Sequence, residues 1–270
     1  MEKKYWDVLV LECDKYNREI ILAHLADLSC GIHDEEIKSS VYFENASKDN
    51  VENIINGIYP LKIFKWKKVE NKDWNENWRP FFKNLNIDNK VKIVPSWSET
   101  KKNENEILIK IVPGMAFGTG HHETTYMMIQ AMLETLNNKM SVVDVGAGSG
   151  ILSILALMLG AKKVDSIEND EDAKDNFYKN MALNNLNNDL MIMDCFKLEK
   201  FDYDLILANI NFKVLTRLIP KFKSCKGKLI LSGLLKTDIN HIGKIIFEND
   251  FKIEKKIERG EWTCLIVQKV

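Results

Sequence analysis

The five cysteines of this 270-residue chain form no C-x-x-C pair, and their odd number argues against a closed disulfide framework. Cys13, Cys30, Cys195, Cys225 and Cys264 are scattered, as reduced and mostly buried thiols in a cytosol would be. A long apolar run is lacking too: none approaches the ~20 residues needed to cross a bilayer, so no membrane is expected. The opening Met1-Glu-Lys-Lys-Tyr-Trp6 has no apolar core of a signal peptide, which makes the cytoplasm the expected compartment. Charge of one sign is also absent. With 38 basic against 39 acidic side chains the net charge is −1, and nothing asks for a nucleic-acid partner. There is no internal repeat and no low-complexity tract. What remains, 45% hydrophobic and 29% charged, is the composition of an ordinary soluble globular protein, with a monomer as the expected state. The length admits one large α/β domain and a small extra one.

The most informative run is Ser141-Val-Val-Asp144-Val-Gly146-Ala-Gly148-Ser-Gly150. Val142, Val143 and Val145 read as a buried parallel strand, and Ile151 to Leu159 as the helix after it. Three glycines at alternate positions let the turn between them tighten and approach a ligand closely. A second strand, Lys163 to Ile167, ends in Glu168, where an α/β fold holds a ribose diol. Nicotinamide and flavin sites want G-x-G-x-x-G, whereas here the third glycine comes one residue early. D-x-G-x-G-x-G is similar instead to the pattern of S-adenosylmethionine methyltransferases. A glycine-rich turn of a purely structural α/β unit is the competing account.

Ahead of this domain the order of elements is βαββαβ. Strands are expected at Tyr5 to Glu12, Gly31 to His33, Ser40 to Glu44 and Lys62 to Val69. Helices are expected at Asn17 to Leu28 and at Asp49 to Ile55, the second capped by Ser47 and ended by Gly57. This is the order of a ferredoxin-like α+β module, taken as residues 1–68. Residues 69–88, with Trp74, Trp78, Phe81 and Phe82, read as a linking helix whose aromatics pack a seam between domains or touch a ligand. Residues 89–270 alternate strands and helices as a doubly wound Rossmann-like sheet does, beginning with Val91 to Val94 and Ile107 to Ile111.

Two further runs carry chemistry. Pro113-Gly-Met-Ala-Phe-Gly118-Thr119-Gly120-His121-His122-Glu123-Thr124-Thr125 offers backbone N–H groups and hydroxyls to an anionic group, either a cofactor carboxylate or a substrate carbonyl. Adjacent His121 and His122 cannot face one metal from one side of a helix, so no metal is expected. Asn209 follows the strand Leu205 to Ala208, at the sheet edge where open α/β folds bind ligands. It either accepts a hydrogen bond from an amine nucleophile or caps the next helix. Asp194, at the tip of the preceding strand, either meets an adenine amino group or begins a turn.

From Asp73 to the end, and more loosely before it, the chain resembles the PrmA family of bacteria, the ribosomal protein L-eleven methyltransferases. The run Pro113 to Thr125 matches the family's signature loop, Trp74-Asn-Glu-Asn-Trp78 its linker, Pro95-Ser-Trp97 a strand end, and Gly260-Glu261-Trp262 a C-terminal hairpin. The resemblance implies a seven-strand class I methyltransferase domain behind a small module that grips the ribosomal protein. It also implies S-adenosyl-L-methionine as cofactor, and an N-terminal amine and lysine side chains as acceptors. Thr124 or Thr125, Gly146, Glu168 and Asn209 match the family's cofactor-binding positions. The full expected cofactor set is Thr119, Thr124, Thr125, Asp144, Gly146, Gly148, Gly150, Glu168, Asp194 and Asn209, with Asn209 also catalytic. Two departures stand out. Glu168 replaces the family's usual Asp, and Asn211-Phe212 differs from its usual continuation after Asn209.

The chemistry implied is in-line displacement, in which a neutral amine attacks an activated methyl and alignment supplies most of the acceleration. A related methyltransferase acting on another protein, a small amine, an amide or nucleic acid is the alternative. Asn209-Ile-Asn-Phe212 distantly resembles the N-P-P-Y of amide and adenine methylases, without its prolines. A module that binds the adenosyl cofactor without turnover is a third reading, and the intact signature loop and Asn209 argue against it.

Overall fold

The computed structural model describes residues 5–25, 28–29, 31–34, 37–43, 47–58, 64–70, 84–112 and 122–270. The chain divides into two compact units, Met1–Phe82 and Lys83–Val270. The first unit contains β1 (Tyr5–Leu11), α1 (Lys15–Leu25), β2 (Gly31–Asp34), β3 (Ser39–Phe43), α2 (Lys48–Ile58) and β4 (Phe64–Glu70). Its antiparallel sheet has the order β2-β3-β1-β4, the ferredoxin-like arrangement that the element order predicts. Alternation along the strands turns Leu9, Leu11, Val41 and Phe43 toward Ile21, Leu22 and Leu25 of α1 and Val51 and Ile55 of α2. Trp66 closes one side of this core and donates through Nε1 to Glu52 at 2.7 Å. The expected stop at Gly57 is corrected: α2 runs through it to Ile58. A Cβ at Gly57 would meet nothing within 4 Å, so no close contact there requires the helix to end. The expected linker helix falls largely on residues 71–83, outside the described residues. Its expected ends are corrected, since Glu70 closes β4 and Leu85 opens another strand.

The second unit holds two sheets. β5 (Leu85–Ile87), β6 (Val91–Pro95) and β7 (Ile107–Ile111) form a three-stranded sheet in that order. β5 was not evident from the sequence. It pairs with β6 through a tight turn in which Asp88 and Asn89 both have positive φ, 50° and 54°. Asn and Asp are the residues that tolerate this conformation best after glycine. The larger sheet contains β8 (Ser141–Val145), β9 (Lys163–Glu168), β10 (Leu190–Ile192), β11 (Leu205–Asn209), β12 (Lys228–Leu235), β13 (Phe251–Arg259) and β14 (Trp262–Lys269). Its order is β10-β9-β8-β11-β12-β14-β13, and β14 alone runs against the direction of the other six strands.

Val91 to Val94 and Ile107 to Ile111 are therefore strands, yet they lie outside the sheet they were expected to open. The seventh place belongs to β13, whose Lys, Glu and Arg residues carry no apolar period. It is an edge strand covering β14, and charge along such an edge discourages pairing with other chains.

Five helices flank the larger sheet or cover its ends: α3 (Glu123–Thr135), α4 (Ile151–Met158), α5 (Ala173–Leu183), α6 (Phe212–Leu218) and α7 (Ile239–Glu248). Val143, Val145, Ile206, Ala208, Leu229, Leu231, Leu265 and Val267 point to one face and bury Leu215, Leu218, Ile242 and Ile246 of α6 and α7. α3 packs on β12 and β14, and α4 on β8 and β9. Strand order reverses between β9-β8 and β11-β12, so a crevice opens at the carboxyl ends of β8 and β11.

One irregularity shapes that crevice. The β12–β14 register shifts between Leu231 and Leu234, and Gly233 in the bulge has φ 85°. A Cβ there would lie 2.2 Å from the Ile210 carbonyl oxygen, directly after β11. Gly233→Ala is expected to lower the unfolding free energy by about 2–4 kcal/mol, from left-handed strain plus overpacking. Urea denaturation tests this; stability equal to the parent would mean the bulge yields freely.

Candidate active site

The glycine turn is shaped by contacts on several sides. Gly146, Gly148 and Gly150 have φ of 76°, 51° and 81°, a region side chains disfavour. The N–H groups of Gly146 and Ala147 both donate to the Ile167 carbonyl at 2.9 Å, which draws the turn onto the end of β9. A Cβ on Gly146 would approach Ile210 Cγ2 to 2.6 Å, and one on Gly150 would approach the Phe177 ring to 2.8 Å. These two glycines are needed for packing as well as for ligand approach.

Glu168, the last residue of β9, is held by backbone donors. Its Oε2 accepts from Gly148 N–H at 2.9 Å, and its Oε1 from Asn169 and Asp170 N–H at 2.7 and 3.0 Å. A carboxylate has about four acceptor sites, so three such bonds leave room for one further donor. Asp194 follows β10 on the next strand. It caps a short 3-10 turn by accepting from Phe196 N–H at 2.9 Å, which is the turn-forming alternative of the two read from the sequence.

Asp144 is fully buried beneath the turn. Ser153 Oγ of α4 donates to its Oδ2 at 2.6 Å, Ser153 and Ser166 hydroxyls are 2.7 Å apart, and Asn188 Nδ2 donates to Ser166 at 2.8 Å. Its Oδ1 has no partner among the described residues. Burial pushes the carboxyl up to about 6; the Ser153 hydrogen bond opposes this and the Glu168 charge adds to it.

Asn209 ends β11 across the crevice from the turn. Its Nδ2 donates to Thr125 Oγ1 over a long 3.4 Å, while its buried Oδ1 has no partner among the described residues. Capping of the next helix falls to Asn211, whose Oδ1 accepts from Val214 N–H at 2.9 Å. The helix-cap alternative for Asn209 is thereby corrected: the cap stands two residues later, and the Asn209 side-chain carbonyl takes no part in it. Phe212 packs edge-on against His241, with ring centroids 5.4 Å apart.

Thr124 and Thr125 are buried in the first turn of α3. The N-cap is His122, whose Nδ1 lies 2.8 Å from Thr124 Oγ1 and accepts from Thr124 N–H at 3.3 Å. Burial holds this imidazole down at about 4, so it caps as a neutral ring. It packs edge-on against Trp262, centroids 4.9 Å apart. Nearby, Arg259 pairs with Glu123 and lies 3.9 Å from the Tyr126 ring. The tip of the β13–β14 hairpin thus rests on the start of α3. Thr119 lies outside the described residues, as does most of its glycine-rich run. Among the described residues no group of three or more His, Cys, Asp and Glu is arranged to hold a metal ion, and no helix is long and apolar enough to cross a membrane.

Sequence reasoning missed the Ser153–Ser166 support under Asp144 and the role of Asn180 of α5, which donates to the Ser149 carbonyl of the turn at 2.8 Å. The signal for the latter was asparagine at 176, 180 and 184, a spacing that aligns them on one helix face.

Numbered from β8, the larger sheet reads 3-2-1-4-5-7-6. With the glycine turn after its first strand and an acid ending its second, it defines a Rossmann-like methyltransferase domain of class I. The sequence model of the family described as ribosomal protein L11 methyltransferase (PrmA) matches residues 10–270, and the chain belongs to this family. It is 32% identical to the ribosomal protein L11 methyltransferase of Prochlorococcus marinus over a 304-residue alignment, which covers 100% of this chain and 98% of that protein. Against the corresponding protein of Lactobacillus johnsonii the identity is 33% over 275 residues, with 96% and 87% covered. The solved structure of the ribosomal protein L11 methylase of Lactobacillus delbrueckii subsp. bulgaricus is similar with a TM-score of 0.63 and 30% identity, over 69% of this chain and 98% of that one.

Asp144 supplies a test of how dry this site is. Its carboxyl sits near 6 when folded, against 3.8 as the ordinary value. Its contribution to stability is therefore greatest below about pH 4 and is lost as pH rises through about 6. Relative to the parent, Asp144→Asn should gain roughly 2 kcal/mol in unfolding free energy between pH 4 and pH 7. Denaturation of both proteins across that range tests it. A difference that does not change with pH would place the Asp144 carboxyl near its ordinary value.

Proposed function

We propose that this protein transfers methyl groups from S-adenosylmethionine to the N-terminal amine and lysine side chains of ribosomal protein L11, in the cytoplasm. The observation that carries the reading is the buried Asn209 carbonyl oxygen, which has no partner among the described residues and stands at the switch point beside the glycine turn. A buried polar atom left without a bond is costly, and such atoms are kept where a ligand completes them. Family membership supplies the substrate class.

The residues fit the cofactor in kind. The left-handed glycine turn offers a backbone that a ligand can approach closely. Glu168 is an ionisable acceptor already oriented by three amides, suited to a ribose hydroxyl; a second hydroxyl would take the place of the Gly148 N–H. Asp194 keeps its second carboxylate oxygen for an adenine amino group. Thr119, Thr124 and Thr125 would serve the amino-acid end, and Asp144 would support the turn from below. When bound, S-adenosylmethionine supplies a methyl on a positively charged sulfur that needs no further activation.

The task left to the chain is to deliver a neutral amine in line. An amine near pKa 10.4 is protonated in water, and a pocket of low dielectric depresses that value. The surroundings of the buried Asn209 Oδ1, beside Thr125, would be of this kind. Asn209 Oδ1 would accept one N–H of the amine and so aim its lone pair, while water takes the released proton. The ferredoxin-like unit, residues 1–68, would select the ribosomal protein.

Single-turnover transfer of labelled methyl to ribosomal protein L11, at saturating cofactor and protein, tests this assignment. Asn209→Ala should slow the chemical step about a hundredfold or more while weakening cofactor binding much less. A variant with the parental single-turnover rate and poor cofactor binding would remove Asn209 from the catalytic set. Separately, Glu168→Ala should weaken S-adenosylhomocysteine binding by about ten- to a hundredfold, the scale of one charged hydrogen-bonding group. Unchanged affinity in the folded variant, by calorimetry, would refute the ribose assignment.

A further inference from the structure

Among the described residues β7 has a strand partner on one side only, because the order β5-β6-β7 leaves its other edge open. Side chains of α5 close that edge. Asn184 Oδ1 accepts from Lys110 N–H at 2.8 Å, and its Nδ2 donates to the Lys110 carbonyl at 2.7 Å. Two residues on, Val112 N–H donates to Asn180 Oδ1 at 2.7 Å, and the Val112 carbonyl accepts from Asn176 Nδ2 at 3.0 Å. An asparagine amide carries the same donor and acceptor as a peptide group, so this ladder stands in for a missing strand. The spacings agree: four helical residues rise about 6 Å, and two strand residues about 6.6 Å.

Asn180 differs from Asn184 in one respect. It is fully buried, and its Nδ2 also donates to the Ser149 carbonyl of the glycine turn at 2.8 Å. The N–H on the far side of that same peptide, belonging to Gly150, donates to Ala147 at 2.8 Å. The Ser149–Gly150 peptide is thus held at both ends, and rotating it would break two bonds. Without Asn180 this peptide would lose its hold from α5 beside two glycines that resist rotation least.

We infer that Asn180 is a positioning residue for ligand binding: its amide fixes the Ser149 peptide against the edge of β7 and so sets the turn backbone on which the ligand rests. The inference depends on the reading above that this turn binds S-adenosylmethionine. It predicts that two steps of one ladder have different consequences. Asn184 bonds β7 and the Asn180 carbonyl within α5, whereas Asn180 bonds β7 and the turn itself.

The experiment is calorimetric titration of the full-length protein with S-adenosylhomocysteine, alongside thermal unfolding, for the parent, Asn180→Ala, Asn180→Ser and Asn184→Ala. All three variants should unfold at lower temperature. The Asn180 variants should bind about tenfold more weakly, and Asn184→Ala within about twofold of the parent. The serine variant, smaller in its disturbance, keeps the comparison available if the alanine variant does not fold. Parental affinity in a folded Asn180 variant would overturn the inference, and so would an equal loss in Asn184→Ala. Failure of the parent itself to bind S-adenosylhomocysteine would overturn the underlying reading of the turn, and the inference with it.

Discussion

Ile210 is wedged between two missing β-carbons, and the geometry of the crevice depends on that wedge. On one side its Cγ2 occupies the space a side chain on Gly146 would fill; on the other its carbonyl oxygen occupies the space belonging to a Cβ on Gly233. The first contact ties β11 to the turn after β8, and the second ties it to the bulge of β12. Asn209, one residue earlier, inherits its position from both. A packed interior does not deform continuously, so a methyl group at either glycine would displace this segment or refuse to fit.

Polar satisfaction in the second unit follows a gradient along its strands. At the amino ends the half-buried polar groups are paired: Asp204 accepts from the backbone and hydroxyl of Ser141, and Tyr203 donates to Asp165. Among the described residues of this unit, three buried side-chain atoms lack a partner: Asp144 Oδ1, Asn209 Oδ1 and Thr263 Oγ1. Two of these three flank the glycine turn. Orphaned acceptors beside a crevice at the switch point are what an anchoring site for donor groups requires, whereas a purely structural turn gains nothing from them.

Much of this was readable in the chain. The valines of β8, the alternate glycines and the acid at Glu168 specify the turn locally, because each depends on near neighbours. The βαββαβ order likewise predicts the sheet of the first unit. Periodicity, however, says that Ile107 to Ile111 is a strand without saying which sheet it joins. β13 was missed as a sheet member because its lysines and glutamates carry no apolar rhythm; β14 supplies the reason it is a strand. The capping residues were left undecided for a similar reason. Asn211 and Asn209 are chemically equal caps in sequence, and only the end of β11 decides which one reaches Val214. His122 is an uncommon N-cap, and burial against Trp262 makes it one.

Two side chains from different elements hold neighbouring groups of the same turn. Glu168 from β9 accepts from Gly148 N–H, and Asn180 from α5 donates to the Ser149 carbonyl. The two bonds are not equivalent. Ser149 is gripped by a buried neutral amide whose other donation, to Asn176 Oδ1, is longer at 3.2 Å, so that end of the turn is fixed. Glu168 is partly exposed and shares its charge among three donors, so a hydroxyl arriving at Oε2 replaces one donor with another at little cost in hydrogen bonding. A turn anchored at one peptide and exchangeable at the next admits a ligand without rebuilding its backbone.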